Sequence, residues 1–334
     1  MARCEIEVRL DDPRAVFRQG ETITGQVVVR VDEPVRGGRL TLACEWFTFS
    51  EGNPERAAPI QTELFRGEWA PGEHAYEFAI VAPPGPLSLT SVPLSLDWHV
   101  VAQAEQTGAP PASAEAGFVL AARPGTSLTD PFYFGPQHPP KGVSGSNQRE
   151  EMSLGSMFVI VVFALSVVSV ALTHPVLLLL VAPVGLALLT DRMVRGKIGR
   201  PELRVTPPMT GRGGTIELVI VFEPSGRVRC DELYAELRAD AVVTAGYGKS
   251  ERVTRSPVYT QRLPLRIAGG VMRRGRRYET KVRFVVPEDG PCTFSGVSNR
   301  IEWVVAAYAS IPRWPDWSDR CAFVVRPGEP AGEA

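Results

Sequence analysis

The sequence predicts a mainly β protein, in which two tandem antiparallel β-sandwich domains flank an α-helical transmembrane hairpin. Apolar and polar residues alternate through both halves of the chain, as they do along strands that bury one face. A segment at 85–104 recurs without gaps at 290–309, which indicates that one domain is present twice. Between the halves, 157–190 form a run of 34 residues without Asp, Glu, Lys or Arg.

The first half, residues 1–125, is predicted to be a β-sandwich of short strands. Along 21–31, Ile23, Val27 and Val29 fall on one face of a strand, and the intervening positions are mostly polar. The same period of two runs from Leu94 through 102, and Gly and Pro residues punctuate the chain between such stretches. Many short strands joined by Gly/Pro turns favour an antiparallel sandwich.

The second half, residues 200–328, is predicted to repeat the first. At a constant offset of 205, Gly, Pro, Val and Trp residues coincide, and Asp97 is replaced by the similar Glu302. Both halves also finish on an apolar strand followed by Arg-Pro-Gly, at 123–125 and 326–328. The remaining segments are then an irregular linker at 126–155 and a tail at 329–334.

The order of motifs in the first half resembles the arrestin-like superfamily. The motifs are Phe17-Arg-Gln-Gly-Glu-Thr-Ile-Thr-Gly-Gln-Val, a Pro-Gly at 71–72 leading into a strand through Phe78, a proline turn at 83–86 and a long strand through Trp98. The resemblance implies two tandem β-sandwiches and a partner-binding role. It supplies no receptor-phosphate-sensing residue that matches a position of this chain, and the soluble families lack a hairpin between the lobes.

Residues 156–191 are predicted to form the transmembrane helical hairpin. His174 and Pro175 interrupt the apolar run at its midpoint, and proline disfavours a continuous helix, so two short helices meeting at a tight turn are expected there. The first arm, 157–172, would extend about 24 Å as a helix, which is short for a full crossing. A re-entrant hairpin in one leaflet and a buried core hairpin are the alternatives.

The charges beside this run predict a location in the cytoplasmic membrane, with both domains facing the cytoplasm. Arg192, Arg195, Lys197 and Arg200 follow the run against the single Asp191, which marks a cytoplasmic flank. The charged beginning of the chain does not resemble a secretory signal. The lipid bilayer is therefore an expected partner. The dominance of arginine over lysine, 32 against four, further suggests a GC-rich, bacterial genome.

The two halves differ in charge, and this difference points to a candidate contact surface. Residues 1–130 carry 10 Lys/Arg and 18 Asp/Glu, a net charge of −8, whereas 200–334 carry 21 and 16, a net charge of +5. Arg273, Arg274, Arg276 and Arg277 form a tight basic turn that could meet anionic lipid or an acidic partner, including the acidic lobe of a neighbouring copy; a solvated turn is the alternative. Nucleic-acid binding is not expected, because the arginines lack interleaved aromatics.

A second candidate contact surface is the proline-rich loop that carries Arg313, Trp314 and Trp317. Tryptophan and arginine in a loop are typical of an interface anchor or of a segment at the lipid headgroups. The alternative, that the rings fold back and cap the sandwich core, is favoured because a large ring gains most by burial.

The sequence predicts neither an enzyme nor a cofactor or metal site. The four histidines are scattered, no serine-hydrolase elbow is present, and the lysine loop at 246–250 lacks the first glycine of a phosphate loop. We therefore expect a membrane-anchored binding or scaffold protein with an unidentified protein partner and possible homo-oligomers. An accessory subunit of a larger membrane complex and an enzyme with a site between the lobes are the alternatives.

Overall fold

The computed structural model describes residues 4–106, 109–137, 198–199, 201–266, 270–312 and 316–328. Its named elements are strands, apart from a single 3₁₀ turn at Gly248–Ser250. Every sheet draws its strands from only one half of the chain, so the first lobe holds β1–β8 and the second lobe holds β9–β19. The prediction of a mainly β structure with sandwich-like sheets is confirmed.

The prediction of an α-helical transmembrane hairpin is corrected by the structure. Among the described residues, no helix is long and apolar enough to cross a membrane. The described part of the chain buries its apolar side chains between sheets, because strand residues turn alternately inward and outward. Over the described residues the fold class is therefore mainly β without the predicted helical element, and the predicted localisation in the cytoplasmic membrane is corrected with it. The predicted hairpin at 156–191, with His174 and Pro175, lies outside the described residues.

The first lobe consists of a three-stranded and a five-stranded sheet. Its strands are β1 (Cys4–Leu10), β2 (Val16–Arg18), β3 (Thr22–Val31), β4 (Val35–Ser50), β5 (Arg56–Trp69), β6 (Gly72–Val81), β7 (Leu94–Gln106) and β8 (Ala109–Ala121). The strand orders are β1-β3-β6 and β2-β8-β7-β4-β5. The short β2 pairs in parallel with β8, and the other pairings are antiparallel.

The second lobe has the same arrangement with two small additions. Its strands are β9 (Glu202–Thr206), β10 (Met209–Gly211), β11 (Thr215–Phe222), β12 (Val228–Arg229), β13 (Glu232–Ala245), β14 (Arg252–Pro264), β15 (Val271–Met272), β16 (Tyr278–Val285), β17 (Phe294–Ser295), β18 (Asn299–Ser310) and β19 (Trp317–Arg326). The strand orders are β9-β11-β16 and β10-β19-β18-β13-β14, and β17 adds to β18. The additions are β17 and a two-stranded ladder of β12 and β15.

The period-two pattern read from the sequence corresponds to burial. In β3, Ile23, Val27, Val29 and Val31 are buried in the core, as predicted, while Thr24 is exposed. Each such apolar side chain contributes roughly 1.5–3 kcal/mol when fully buried. The hydrophobic pattern therefore sets which face of each sheet packs inward.

The residues that repeat in the sequence make the same contacts in the two lobes. The indole Nε1 of Trp98 donates to the carbonyl oxygen of Pro86 at 2.8 Å, and that of Trp303 donates to Pro291 at 2.8 Å. The ring centroids of Trp98 and Phe118 are 6.0 Å apart, as are those of Trp303 and its equivalent on β19. Trp98 and Trp303 therefore occupy equivalent places in the cores of the two halves.

The two lobes contact each other at the tip of the β4–β5 hairpin. Asn53 donates from Nδ2 to the carbonyl oxygen of Gly246 at 3.0 Å and accepts from its backbone N–H at 3.1 Å. The rings of Trp46 and Phe294, from opposite lobes, meet edge to face with centroids 5.6 Å apart. The contact therefore lies at the end of β4 and at the end of β13.

Residues 126–137, the described part of the predicted linker, pack against the second lobe. The Arg326 guanidinium donates to the carbonyl oxygens of Leu128 and Asp130 and lies 5.8 Å and 5.7 Å from the ring centroids of Phe132 and Phe134. Farther along, the Ser295 backbone N–H donates to the Phe134 carbonyl at 2.8 Å. This segment is held to the second lobe and does not hang free between the lobes.

Candidate functional site

The strongest candidate site is a groove at the end of the second lobe farthest from the lobe contact. Two chain connections form it, one leading from β11 toward β13 and the other from β14 to β16. Its volume is about 990 Å³. The arginines that line it are Arg227, Arg266, Arg273, Arg274, Arg276 and Arg277. We call this surface the arginine groove.

A tight turn presents four of these arginines. The Arg276 backbone N–H donates to the Arg273 carbonyl at 3.3 Å, and Gly275 takes a left-handed φ of +67° that closes the turn. The Gly275 N–H donates to the Pro224 carbonyl at 2.8 Å, which ties the turn to the opposite wall of the groove. The Arg273 N–H donates to the Tyr278 hydroxyl at 2.8 Å. These bonds fix the backbone while the side chains stay exposed.

The groove carries a large excess of positive charge. Its lining holds six arginines and one acidic residue, Glu279, for a net charge of +5. Within the described residues, no ion pair joins any of these six guanidinium groups to a carboxylate. Elsewhere on this lobe arginines are paired, as in Arg255–Glu302 at 2.7 Å and Arg262–Glu236 at 3.2 Å. The groove therefore has donors for an anion that the lobe itself does not supply.

The floor of the groove is apolar and aromatic. Phe222 and Val271 line it from β11 and β15, and the Arg276 guanidinium lies 5.6 Å from the centroid of the Tyr278 ring. Guanidinium groups bind carboxylates and phosphates through paired N–H donors. This combination suits a short acidic segment of a macromolecule.

The cysteines, which could act as nucleophiles or metal ligands, do not line the arginine groove. Burial raises the pKa of the Cys44 thiol to about 12 and that of Cys321 to about 11, so both are protonated at neutral pH. All five cysteines are free. Across the described ranges, no cluster of three His, Cys, Asp or Glu residues is arranged to hold a metal ion.

The residues that the sequence singled out fall into three groups. Arg273, Arg274, Arg276 and Arg277 line the groove. Trp317 lies on β19 in the core, 5% exposed, with its ring centroid 5.4 Å from that of Phe222, so it packs behind the groove floor. Arg313, Trp314, His174 and Pro175 lie outside the described residues.

Sequence reasoning missed Arg227 and Arg266. Arg227 lies in the connection from β11 to β13, and Arg266 lies seven positions before the basic turn in the connection from β14 to β16; neither belongs to a charge run. The pairing of β12 with β15, in which Arg229 lies opposite Val271, and the bond from the Gly275 N–H to the Pro224 carbonyl bring the two connections together. The excess of arginine in both connections was the sequence signal that could have identified these two residues.

Comparisons with known proteins give little further guidance. No family model matches the chain, and no curated protein matches it. Among solved structures, the chain is similar to Spo0M, a sporulation control protein from Bacillus subtilis, with 18% identity over 36% of this chain and 50% of that chain and a TM-score of 0.30. The alignment thus spans half the length of that protein, and at this score it assigns neither a fold nor a function.

Proposed function

We infer that this protein acts by binding, as an adaptor-type protein that captures an acidic segment of a protein partner in the arginine groove. The observation that carries this proposal is the set of six guanidinium groups that face one groove without an ion-pair partner among the described residues. No catalytic activity is part of the proposal. The resemblance of the sequence to arrestin-like proteins supports a partner-binding role.

Electrostatics explain why an acidic segment would bind there. Six like charges in one groove repel one another, and that repulsion is relieved when an anion enters. A field of one sign over a concave surface also raises the local concentration of an oppositely charged partner and its rate of association. Salt screens such exposed charges, so binding should weaken as ionic strength rises.

A labelled acidic peptide provides the direct test. We expect a fluorescent decaglutamate to bind the 334-residue protein in an anisotropy titration at low salt, and the R273E/R274E/R276E/R277E variant to bind it at least about tenfold more weakly. A matched control is R18E/R36E/R56E/R252E, which changes the net charge equally at four exposed arginines outside the groove. We expect the control to lose less than about threefold, because long-range charge effects are screened.

Thermal unfolding should show that both variants keep their fold before binding is compared. Equal losses in the two variants would assign the binding to overall charge and overturn the groove as a site. Absence of peptide binding to the unmodified protein at low salt would overturn the proposal itself.

A further inference from the structure

We propose that one acidic partner of the arginine groove is a second copy of this chain, which inserts the acidic end of its first lobe. This inference rests on the proposed function of the groove and names an occupant for it. The acidic end consists of Asp32, Glu33, Glu68 and Glu73, which lie in or beside the β3–β4 and β5–β6 connections. We call this surface the acidic pole.

The acidic pole and the arginine groove occupy equivalent places in the two lobes. In the first lobe, Val31 pairs with Gly72 where β3 ends and β6 begins. In the second lobe, Phe222 pairs with Tyr278 where β11 ends and β16 begins. The acidic residues lie in or beside the connections that follow β3 and precede β6, and the arginines lie in the connections that follow β11 and precede β16. Duplication has thus produced one surface twice, with opposite charge.

Three of the four charges of the acidic pole are available to a partner. Asp32, Glu33 and Glu68 are exposed, and within the part of the chain that the structure describes no ion pair involves any of them. Glu73 is also exposed and is paired with Arg30 at 2.9 Å. Over 30–36 and 68–73, which include the Arg30 partner of Glu73, there are four acidic residues and two arginines, Arg30 and Arg36, which gives a net charge of −2. This charge opposes the +5 of the groove lining.

The geometry of each lobe directs the two surfaces outward. Strand β4 runs 16 residues from the acidic pole to the lobe contact, and β13 runs 14 residues from the groove to the same contact. At about 3.3 Å per residue, each pole lies roughly 45–50 Å from the contact. No ion pair among the described residues links the two poles. A contact between copies is therefore head to tail, a heterologous interface that closes into a ring or continues as a filament.

Reversing one pole at a time tests this interface. We expect the 334-residue protein to self-associate in sedimentation velocity at low salt and to dissociate as salt is added. R273E/R274E/R276E/R277E and D32K/E33K/E68K should each lower the association constant at least about tenfold. R18E/R36E/R56E/R252E would alter Arg36 of the acidic pole, so the control here is R18E/R56E/R252E, which we expect to change self-association by less than about threefold.

Charge exchange separates a specific interface from loss of folding. An equimolar mixture of the two single-pole variants should associate again, because the reversed groove of one complements the reversed pole of the other. Chains that carry both reversals should associate with each other. Absence of association by the unmodified protein at low salt, or failure of both complementation experiments, would overturn the inference.

The decaglutamate titration shows which proposal has failed. D32K/E33K/E68K keeps an intact arginine groove. If this variant binds the peptide but the unmodified protein does not self-associate, the second copy is rejected as the occupant and the binding function stands. If the unmodified protein does not bind the peptide, both proposals are rejected.

Discussion

Glu55 and Asn299 join the two lobes although they are 244 positions apart in the sequence: Glu55 Oε1 accepts from the Asn299 backbone N–H at 2.6 Å and from its side-chain Nδ2 at 3.2 Å. The same carboxylate accepts the backbone N–H of Val297 at 2.8 Å and that of Ser298. Three successive amides that converge on one carboxylate form an anion-binding concavity. Asn299 is fully buried, so its amide must be satisfied within this contact.

Replacing Glu55 should weaken the lobe contact. In Glu55→Gln the neutral amide retains only one acceptor oxygen and places an NH₂ group against backbone donors, so we expect a loss of about 1–3 kcal/mol. Urea unfolding followed by tryptophan fluorescence measures it. Glu51→Gln, on the same hairpin and exposed, is the control and should leave the midpoint unchanged. Equal midpoints for both variants would contradict a role for the carboxylate in joining the lobes.

Trp98 and Trp303 should contribute equally to stability because they make equivalent contacts. Trp98→Phe and Trp303→Phe each remove an indole N–H that bonds a proline carbonyl, and each shrinks a fully packed side chain, so we expect each to cost about 1–3 kcal/mol in unfolding free energy. Calorimetry measures both. Tyr247→Phe, at a ring that is 79% exposed, serves as the neutral aromatic control. A neutral result in one lobe would show that the repeat is not energetically equivalent.

Arg326 should hold residues 126–137 against the second lobe. Burial lowers the pKa of its guanidinium, and its planar fork donates to two carbonyl oxygens of that segment. Arg326→Lys keeps the charge but loses the fork, so amide hydrogen exchange in 126–137 should become faster, with a loss of about 1–3 kcal/mol. Arg320→Lys, exposed on the same strand, is the control. Unchanged exchange in this segment would show that Phe132 and Phe134 hold it without the arginine.

Cys44 should resist alkylation as long as the protein is folded. Burial raises its pKa to about 12, so at pH 8 only about one thiol in 10⁴ is in the reactive thiolate form. Unfolding returns the pKa to about 8.5 and exposes the sulfur, so iodoacetamide should label it only in denaturant. Mass spectrometry of the labelled peptides reports the difference, with the partly buried Cys4 as the faster internal comparison. Rapid labelling of Cys44 in the native protein at pH 8 would contradict its burial.

The sequence predicted the strands well because strand burial is a local property. Whether Ile23 or Thr24 faces inward follows from alternation along one segment, and the equivalence of Trp98 and Trp303 follows from direct alignment. The transmembrane hairpin, as part of the predicted fold class, was a wrong prediction because it was inferred from the composition of one segment. Composition gives the polarity of a stretch but not its partners.

What the sequence by itself determined is therefore the β architecture, its duplication and the basic turn at 273–277. The tertiary structure decided the rest, because it depends on which distant segments meet. It placed Trp317 against Phe222 behind the groove, added Arg227 and Arg266 to the basic turn, and placed Glu55 against the amides of the second lobe. These contacts join residues from separate connections or separate lobes, and no local pattern encodes them. Strand pairing and lobe packing bring such residues together, and so they determine where this protein presents its charge.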